Sequence, residues 1–298
     1  MEKNAASFRD RAKYVTNTIT GEPIAAEYDI KTKNFSTQTH IAELADGRKV
    51  FIVYDFRGSW MHRGLDTLMK WACDLRMRKA TKKEWKTWFE EKSSIPVIEN
   101  KDPHTVVMPF VPNVNALDVF AHNKEIENFG ECAWAENLTG EDKLELADDI
   151  MDEIHRVHDQ GVAWGETILP NVILTKEKKA VICDPEIRFN DDVPLPEAMA
   201  RDLKYICMSI GGALATSEQM EPGPVIQRLL DRYGDPEVIV RLQNLVNQKM
   251  SILQRLTLPY EYACCGAGNA ERYNAIMDAI REYDMTSVLN KHPISQKS

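Results

Sequence analysis

Two carboxylates and an amide lie close together in the middle of the chain. Glu166 follows a predicted helix and a turn at Gly165, Asn171 comes soon after it, and Asp184 directly follows a short apolar run. A hairpin between Asn171 and Asp184 would bring these polar side chains to one end. Amide and carboxylate oxygens are the hard ligands that Mg²⁺ prefers, and a nearby carboxylate can orient an attacking hydroxyl. The spacing therefore suits phosphoryl transfer, which depends mainly on positioning and charge neutralisation.

Each residue has a simpler explanation when it is taken alone. Glu166 is then a surface carboxylate at a helix end, and Asn171 a turn residue, because Asn caps turns readily. Taken together, Glu166, Asn171 and Asp184 favour a functional site. Asp184 is the strongest single candidate, because a carboxylate after a buried strand emerges at a strand end, where ligands collect.

A helix and a hairpin must position these residues. Thr139 is a predicted N-cap, and Gly161 ends the helix because glycine adopts a left-handed C-cap at little cost. One helix face is apolar, and its residues are Leu144, Ala147, Met151, Ile154 and Val157. Strands at 171–174 and 180–183 flank a polar turn. Further helices are predicted from near Glu197 to about Tyr283, with breaks at Pro222, Pro224 and Pro236.

The first half of the chain is predicted to be rich in strands. Residues 39–44 and 49–56 form two strands around Asp46-Gly47, a strong hairpin turn signal. Apolar residues at helical spacing predict a helix over 64–92. Two more strands are expected at 95–98 and 105–111. The sequence thus predicts an α+β fold with a strand-rich N-lobe over 1–111 and a helical C-lobe over 112–298, which the resemblance described below implies to be one domain.

Composition excludes several classes of protein. The chain has 298 residues and a net charge of −9, and it has no basic block, which argues against a nucleic-acid partner. No run of about eighteen apolar residues predicts a membrane-spanning helix. The N-terminal residues lack the apolar core of a secretory signal. Six scattered cysteines favour reduced thiols, so a cytoplasmic location is expected.

The segment from His158 to Asn171 resembles the catalytic loop of the protein-kinase-like superfamily, whose pattern is H-x-x-G-hydrophobic-x-H-G-D-x-x-x-x-N. Asp184 stands where that superfamily has the metal-binding Asp of its D-F-G motif. Residues 200–206 resemble the helix whose buried Asp, here Asp202, braces the catalytic loop. The short hairpin and compact activation segment are similar to those of the small bacterial lipopolysaccharide-core sugar kinases and Kae1-associated kinases.

This resemblance implies a two-lobed kinase-like fold that uses ATP and Mg²⁺. Glu166 would orient the acceptor hydroxyl, while Asn171 and Asp184 would hold the metal. The acceptor would be a sugar hydroxyl or a protein Ser, Thr or Tyr. Residues 33–39 would cover the phosphates, and 108–111 would form the hinge. The implied nucleotide-binding residues are Asn34, Ser36, Thr37, Lys49, Glu84, Met108 and Val111. If Glu84 does not bind nucleotide, it is expected to be a carboxylate on the surface of a helix.

Departures from the superfamily pattern keep two other functions open. Trp164 replaces the His of the H-G-D motif, Glu166 replaces its Asp, and Tyr54 stands where the strand-three Lys is expected. These changes favour a pseudokinase, which binds nucleotide or a partner without transferring phosphate. A third possibility is an interaction protein that uses the helical residues 225–283. His158 and Asp202 are predicted to be structural.

Overall fold

The computed structural model describes residues 24–29, 37–44, 47–55, 77–80, 82–95, 105–121, 132–165, 167–183, 187–249 and 268–291. The chain divides into two compact units. The first consists of Met1–Thr67 and Ala80–Val111, and the second of Leu68–Lys79 and Pro112–Ser298. Strands dominate the described part of the first unit and helices that of the second. The predicted α+β class is therefore confirmed.

The first unit is built on a four-stranded antiparallel sheet. Its strands are β1 (Ile24–Asp29), β2 (Thr37–Leu44), β3 (Lys49–Asp55) and β5 (Thr105–Pro109), in the order β1-β2-β3-β5. The predicted β2–β3 hairpin is present, and Gly47 adopts a φ of +82° that a residue with a Cβ rarely adopts. Val50 and Ile52 of β3 are buried, whereas Phe51 between them is half-buried.

The predicted helix over 64–92 is confirmed over Lys82–Glu91 and wrong at Met77–Lys79. Met77–Lys79 forms a strand, β4, which belongs to the second unit and pairs with β9 (Ile187–Phe189). The apolar spacing stops before this polar segment, so pairing with a strand more than a hundred residues away decides its conformation. Helix α1 (Lys82–Glu91) follows, and its Trp85, Trp88 and Phe89 pack edge to face.

The second unit contains a three-stranded antiparallel sheet and a set of helices. The sheet joins β6 (Asn113–Asn115), β7 (Val172–Thr175) and β8 (Ala180–Ile182), and β7 and β8 are the predicted hairpin. The helices are α2 (Ala116–Phe120), α3 (Gly140–Asp159), α4 (Leu195–Ser217), α5 (Pro222–Tyr233), α6 (Pro236–Asn247), α7 (Ala270–Arg281) and α8 (Thr286–Lys291). Short 3₁₀ turns lie at Ala133–Asn137 and Leu169–Asn171.

Helix α3 begins and ends where the sequence predicts. Thr139 accepts a hydrogen bond from the Asp142 amide while Asp142 accepts one from Thr139, which forms a capping box. Gly161 follows the helix with a φ of +72°. The predicted residues of the apolar face are buried, except Leu144, which is half-buried. Leu146 and Ile150 are buried as well.

Helix α4 is the central helix of the second unit, and most of its residues are buried, including Asp202 and Ser209. The helix breaks lie directly before two of the three predicted prolines, and these two begin the next helices, whereas Pro224 lies in the first turn of α5. Pro222 and Pro236 each occupy the first helical position, where a missing backbone N–H costs nothing.

Besides β4, three described strands were missed by the sequence prediction: β1, β6 and β9. Strands β6 and β9 are only three residues long and pair with strands that are distant in the sequence, so local periodicity gives little signal. Strand β1 has six residues and pairs with β2, the next strand along the chain. The predicted strand at 95–98 lies almost entirely outside the described residues, and Ile95 itself is in a bend. Among the described helices, none combines the length and apolar character needed to cross a lipid bilayer.

Candidate functional site

The loop after α3 carries the predicted catalytic carboxylate. Trp164 and Gly165 are both buried at its start, and Gly165 has a φ of +104°. A residue with a Cβ would be strained at that angle, so this position requires glycine. Glu166 itself lies outside the described residues.

Asp202 of α4 holds this loop. Its fully buried carboxylate accepts hydrogen bonds from the backbone N–H of Trp164 and from that of Gly165, the second at 2.7 Å. A buried carboxylate needs such donors, and hydrogen bonds to a charged acceptor are among the strongest in proteins. The prediction that Asp202 braces the loop is confirmed.

His158 links Asp202, the anchor of the loop, to the rest of the helical unit. Its Nε2 lies 3.2 Å from Asp202 Oδ2, and its Nδ1 lies 2.8 Å from the hydroxyl of Tyr233 at the end of α5. His158 is buried, so both ring nitrogens are occupied by protein partners rather than by water. The structural role predicted for His158 is confirmed, whereas Tyr233 was not predicted to take part.

A second set of contacts fixes the loop beyond residue 166. The buried hydroxyl of Ser209 accepts a hydrogen bond from the Leu169 amide at 3.0 Å. The side chain of Asn115 donates to the Pro170 carbonyl at 2.8 Å. The sequence analysis missed both residues, because they lie about forty and fifty-five positions away along the chain. The loop is therefore fixed on both sides of residue 166.

Asn171 lies where this loop enters the hairpin. Its carbonyl accepts a hydrogen bond from the Cys183 amide at 2.8 Å and from the Cys183 thiol at 3.2 Å. Val172 pairs with Ile182, so positions 171 and 183 close the same end of the hairpin. Asn171 is buried, with 7% of its surface exposed. Asp184 follows Cys183 in the sequence and lies outside the described residues.

The predicted nucleotide-binding residues all belong to the first unit. Asn34 and Ser36 lie outside the described residues. Thr37 is the first residue of β2 and pairs with Asp55, whereas Lys49 begins β3 at the opposite end and is exposed. With about 3.4 Å per residue, roughly 20 Å separates them along the hairpin. They therefore do not lie close enough to contact the same phosphate group.

The remaining three candidates lie on other elements of the first unit. Glu84 is half-buried in α1, Met108 is buried in β5, and Val111 is half-buried just after that strand. The Lys49 carbonyl accepts a hydrogen bond from Phe110, so Lys49 lies beside the predicted hinge segment. Tyr54 pairs with Gln38, at the same end of the hairpin as Thr37.

Thr167 is a further polar residue of the loop that the sequence analysis missed. It follows Glu166 directly and is 1% exposed. Its hydroxyl has no hydrogen-bond partner in the part of the chain that the structure describes. A buried hydroxyl usually has a partner, so this position beside Glu166 has an unused hydrogen-bonding group.

Burial changes the acidity of two groups near the loop anchor. It raises the pKa of the Tyr233 hydroxyl, and the carboxylates of Asp235, Asp202 and Asp159 raise it further. Burial also raises the pKa of the Cys207 thiol in α4. Both groups therefore keep their protons at neutral pH, which makes the Tyr233 hydroxyl available as a hydrogen-bond donor.

The donor set at the hairpin end is compatible with Mg²⁺. Asn171 has a side-chain oxygen, and Asp184, which follows Cys183 in the sequence, has a carboxylate; oxygen ligands of this type suit a hard cation. Within the described ranges, no three His, Cys, Asp or Glu side chains are grouped as metal ligands. The convergence of Glu166, Asn171 and Asp184 stays a prediction.

Comparison with known proteins gives only distant likenesses. No family model matches the chain, and no curated protein matches it. A solved structure of the Rio2 kinase–ADP/Mg²⁺–phosphoaspartate complex from Chaetomium thermophilum is 13% identical, with a TM-score of 0.38, over 87% of this chain and 71% of that one.

Two other solved structures are similar to a comparable degree. The pseudokinase DRIK1 bound to ENMD-2076 is 12% identical with a TM-score of 0.40, over 91% of this chain and 94% of that one. The kinase domain of PknI from Mycobacterium tuberculosis is 13% identical with a TM-score of 0.40, over 88% of this chain and 97% of that one. Because all three TM-scores are below 0.5, we infer nothing about this protein from these structures.

The predicted kinase-like fold is instead confirmed by this chain's own elements. Among the described residues, an antiparallel sheet and helix α1 precede the helical unit. A short hairpin follows a loop whose amides are held by a buried Asp of the central helix. These are the elements that the resemblance predicted, in the predicted order.

Proposed function

We propose that the protein is an ATP- and Mg²⁺-dependent phosphotransferase that acts on a sugar or protein hydroxyl. The observation that carries this proposal is the fixation of the loop on both sides of residue 166, by Asp202 before it and by Ser209 after it. A loop held in this way keeps a catalytic group in place before substrate arrives, which is the main requirement for phosphoryl transfer.

Three residues would carry the chemistry. The acceptor hydroxyl would attack the γ-phosphorus of ATP, the bond from that phosphorus to the β,γ-bridging oxygen would break, and ADP would leave. Glu166 would orient the hydroxyl and accept its proton. Asn171 and Asp184 would hold Mg²⁺, which neutralises phosphate charge when it is bound. The hydrogen bond between Cys183 and Asn171 supports this assignment, because Cys183 directly precedes Asp184 in the sequence.

The first unit would bind the nucleotide. Thr37, with Asn34 and Ser36 before it, would contact phosphates, while Met108 and Val111 would contact the adenine as a hinge. Lys49 lies beside that hinge at the far end of β3 from Thr37, so its contact would be with the adenosine end of ATP. Glu84 would act from α1. The closer resemblance to lipopolysaccharide-core and Kae1-associated kinases, and a cytoplasmic location, remain part of this proposal.

A pseudokinase is the second candidate, and the position of Tyr54 favours it. Tyr54 pairs with Gln38 in the sheet, close to the predicted phosphate-covering residues, where a kinase of this kind would carry a lysine. Lys49 begins the same strand five positions earlier and does not replace it. Such a protein would use the same anchored loop to bind nucleotide without turning it over.

Nucleotide binding and turnover together test the proposal. We expect saturating ATP with Mg²⁺ to stabilise the wild type, by about 2.7 kcal/mol at a hundred times the Kd. Asp184→Ala should lose this effect, whereas Asp192→Asn, at an exposed carboxylate, should retain it. Binding without ADP formation would favour the pseudokinase. A wild type that ATP does not stabilise would contradict both and favour an interaction protein that uses residues 225–283.

A further inference from the structure

Tyr233 is buried between two histidines of α3. Its ring centroid lies 5.1 Å from that of His155 and 5.7 Å from that of His158, and its surface is fully buried. Its hydroxyl lies 2.8 Å from His158 Nδ1. Three hydrogen-bonded steps therefore connect the end of α5 to the loop after α3: Tyr233 to His158, His158 to Asp202, and Asp202 to the loop amides.

The chemistry of these groups determines which atom donates at each step. The Asp202 carboxylate is an acceptor and already receives the N–H groups of Trp164 and Gly165. His158 Nε2 faces the same carboxylate at 3.2 Å, so it must carry a proton. In a neutral imidazole Nδ1 is then an acceptor, and the Tyr233 hydroxyl must donate to it. Burial raises the pKa of that hydroxyl, so it keeps the proton it donates.

The opposite tautomer of His158 would break this arrangement. A proton on Nδ1 would make Tyr233 the acceptor and would leave the Nε2 lone pair facing the Asp202 carboxylate. Two acceptors would then oppose each other inside the protein, where no water can separate them. The Asp202 carboxylate therefore selects the tautomer, and the Tyr233 hydroxyl holds the ring from the Nδ1 side by donating to it.

We propose that Tyr233 is a positioning residue, which holds the His158 ring by donating to its Nδ1 and thereby keeps Asp202 and the amides of Trp164 and Gly165 in place. The kinetic part of this inference rests on the proposed function, because the positioned loop continues into Glu166. The structural part does not, since the tautomer and the loop amides can be observed without any substrate.

Tyr283 offers a matched control for the removal of one hydroxyl. Its buried side chain donates to Asp231 Oδ1 at 2.7 Å, and Asp231 lies on the same helix, α5, as Tyr233. Tyr283→Phe therefore deletes the same atom and one hydrogen bond to α5 without touching His158. Any effect of general destabilisation of α5 should appear in both variants.

The test combines NMR of the imidazole nitrogens with amide hydrogen exchange, on the full chain. In the wild type we expect His158 to be protonated at Nε2 and not at Nδ1. In Tyr233→Phe we expect Nε2 to stay protonated, because Asp202 still faces it, and the Trp164 and Gly165 amides to exchange about five- to tenfold faster. The Leu169 amide, which Ser209 holds, should exchange as in the wild type. Tyr283→Phe should leave all of these signals unchanged.

Three results would overturn the inference: a wild-type His158 protonated at Nδ1, loop amides that exchange equally fast in Tyr233→Phe and wild type, or equal effects from both Tyr variants. If Tyr233→Phe does not fold, the wild-type Nδ1 decides the question, because it must be unprotonated and hydrogen-bonded to the Tyr233 hydroxyl. If the protein turns over ATP, Tyr233→Phe should lower kcat several-fold with an unchanged KM for ATP. A wild type with the expected tautomer but no turnover would contradict the proposed function and leave this inference standing.

Discussion

Replacing Asp202 by asparagine tests how Asp202 holds the loop, because only one side-chain oxygen is exchanged for another group. The side chain keeps its size and one acceptor oxygen, but an NH₂ group takes the place of the other oxygen. In one orientation this NH₂ faces the Gly165 N–H, which is bonded to Oδ1 in the wild type. In the other it faces the Trp164 N–H and His158 Nε2, both of which are bonded to Oδ2. At least one buried donor therefore loses its acceptor.

The size of the effect follows from these contacts. A buried N–H without an acceptor costs about 1–3 kcal/mol, and a hydrogen bond to a neutral acceptor is weaker by about 1 kcal/mol than one to a charged acceptor. One lost bond and two weakened bonds together give about 3–5 kcal/mol. Because Asp202 is fully buried, water cannot replace the missing acceptor. We expect Asp202→Asn to lower the free energy of unfolding by this amount.

Urea denaturation followed by circular dichroism measures the difference. Asp192→Asn makes the same change at an exposed carboxylate in the turn after β9, and we expect it to alter stability by no more than about 0.5 kcal/mol. Amide exchange should also show that Trp164 and Gly165 lose protection in Asp202→Asn. A loss below about 1 kcal/mol, with these amides still protected, would refute the view that Asp202 holds the loop.

Two further predictions concern helix α3. Lys143 is buried and bonds Glu218 at 2.6 Å and the Phe120 carbonyl at 3.3 Å, whereas Glu218 is partly exposed. Glu218→Ala leaves a buried charge and should cost about 3–5 kcal/mol in urea unfolding, but Lys143→Met should cost about 1 kcal/mol or less, and equal losses would contradict this reasoning. At the start of α3, hydrogen bonds from the Thr139 hydroxyl and amide lower the pKa of Asp142, so its ionised form stabilises the fold. This stabilisation should be complete above the ordinary carboxyl pKa and should disappear as the pH falls through the lowered value; the urea midpoints of wild type and Asp142→Asn should therefore converge at low pH and differ at neutral pH.

Local sequence was sufficient to predict several parts of the second unit. Thr139 followed by an acidic residue at the third helical position predicts a capping box, and Gly161 predicts the end of the same helix. The hairpin of β7 and β8 follows from two short apolar runs around a polar turn. The role of Asp202 was predicted from the kinase-like resemblance, because its motif specifies a buried Asp on the central helix.

Contacts between distant parts of the chain could not be predicted in this way. Strand β4 pairs with β9, and Ser209, Asn115 and Tyr233 reach the loop or its anchor from forty to seventy-five positions away. Hydrophobic periodicity describes one element at a time and contains no information about which elements meet. Ser209 and Tyr233 also have no unusual sequence context. Only the packing of α3, α4 and α5 identifies them.

The central claim is that the anchored loop serves phosphoryl transfer, and ADP formation tests it most directly. Wild-type protein, Glu166→Gln and Asp192→Asn would be assayed with saturating ATP and Mg²⁺ against protein and sugar acceptors. We predict ADP formation coupled to acceptor phosphorylation in the wild type and in Asp192→Asn, and a rate about 10²–10⁴-fold lower in Glu166→Gln, because that variant cannot accept the hydroxyl proton. A wild type that binds ATP but forms no ADP, or a Glu166→Gln variant as fast as the wild type, would contradict the account.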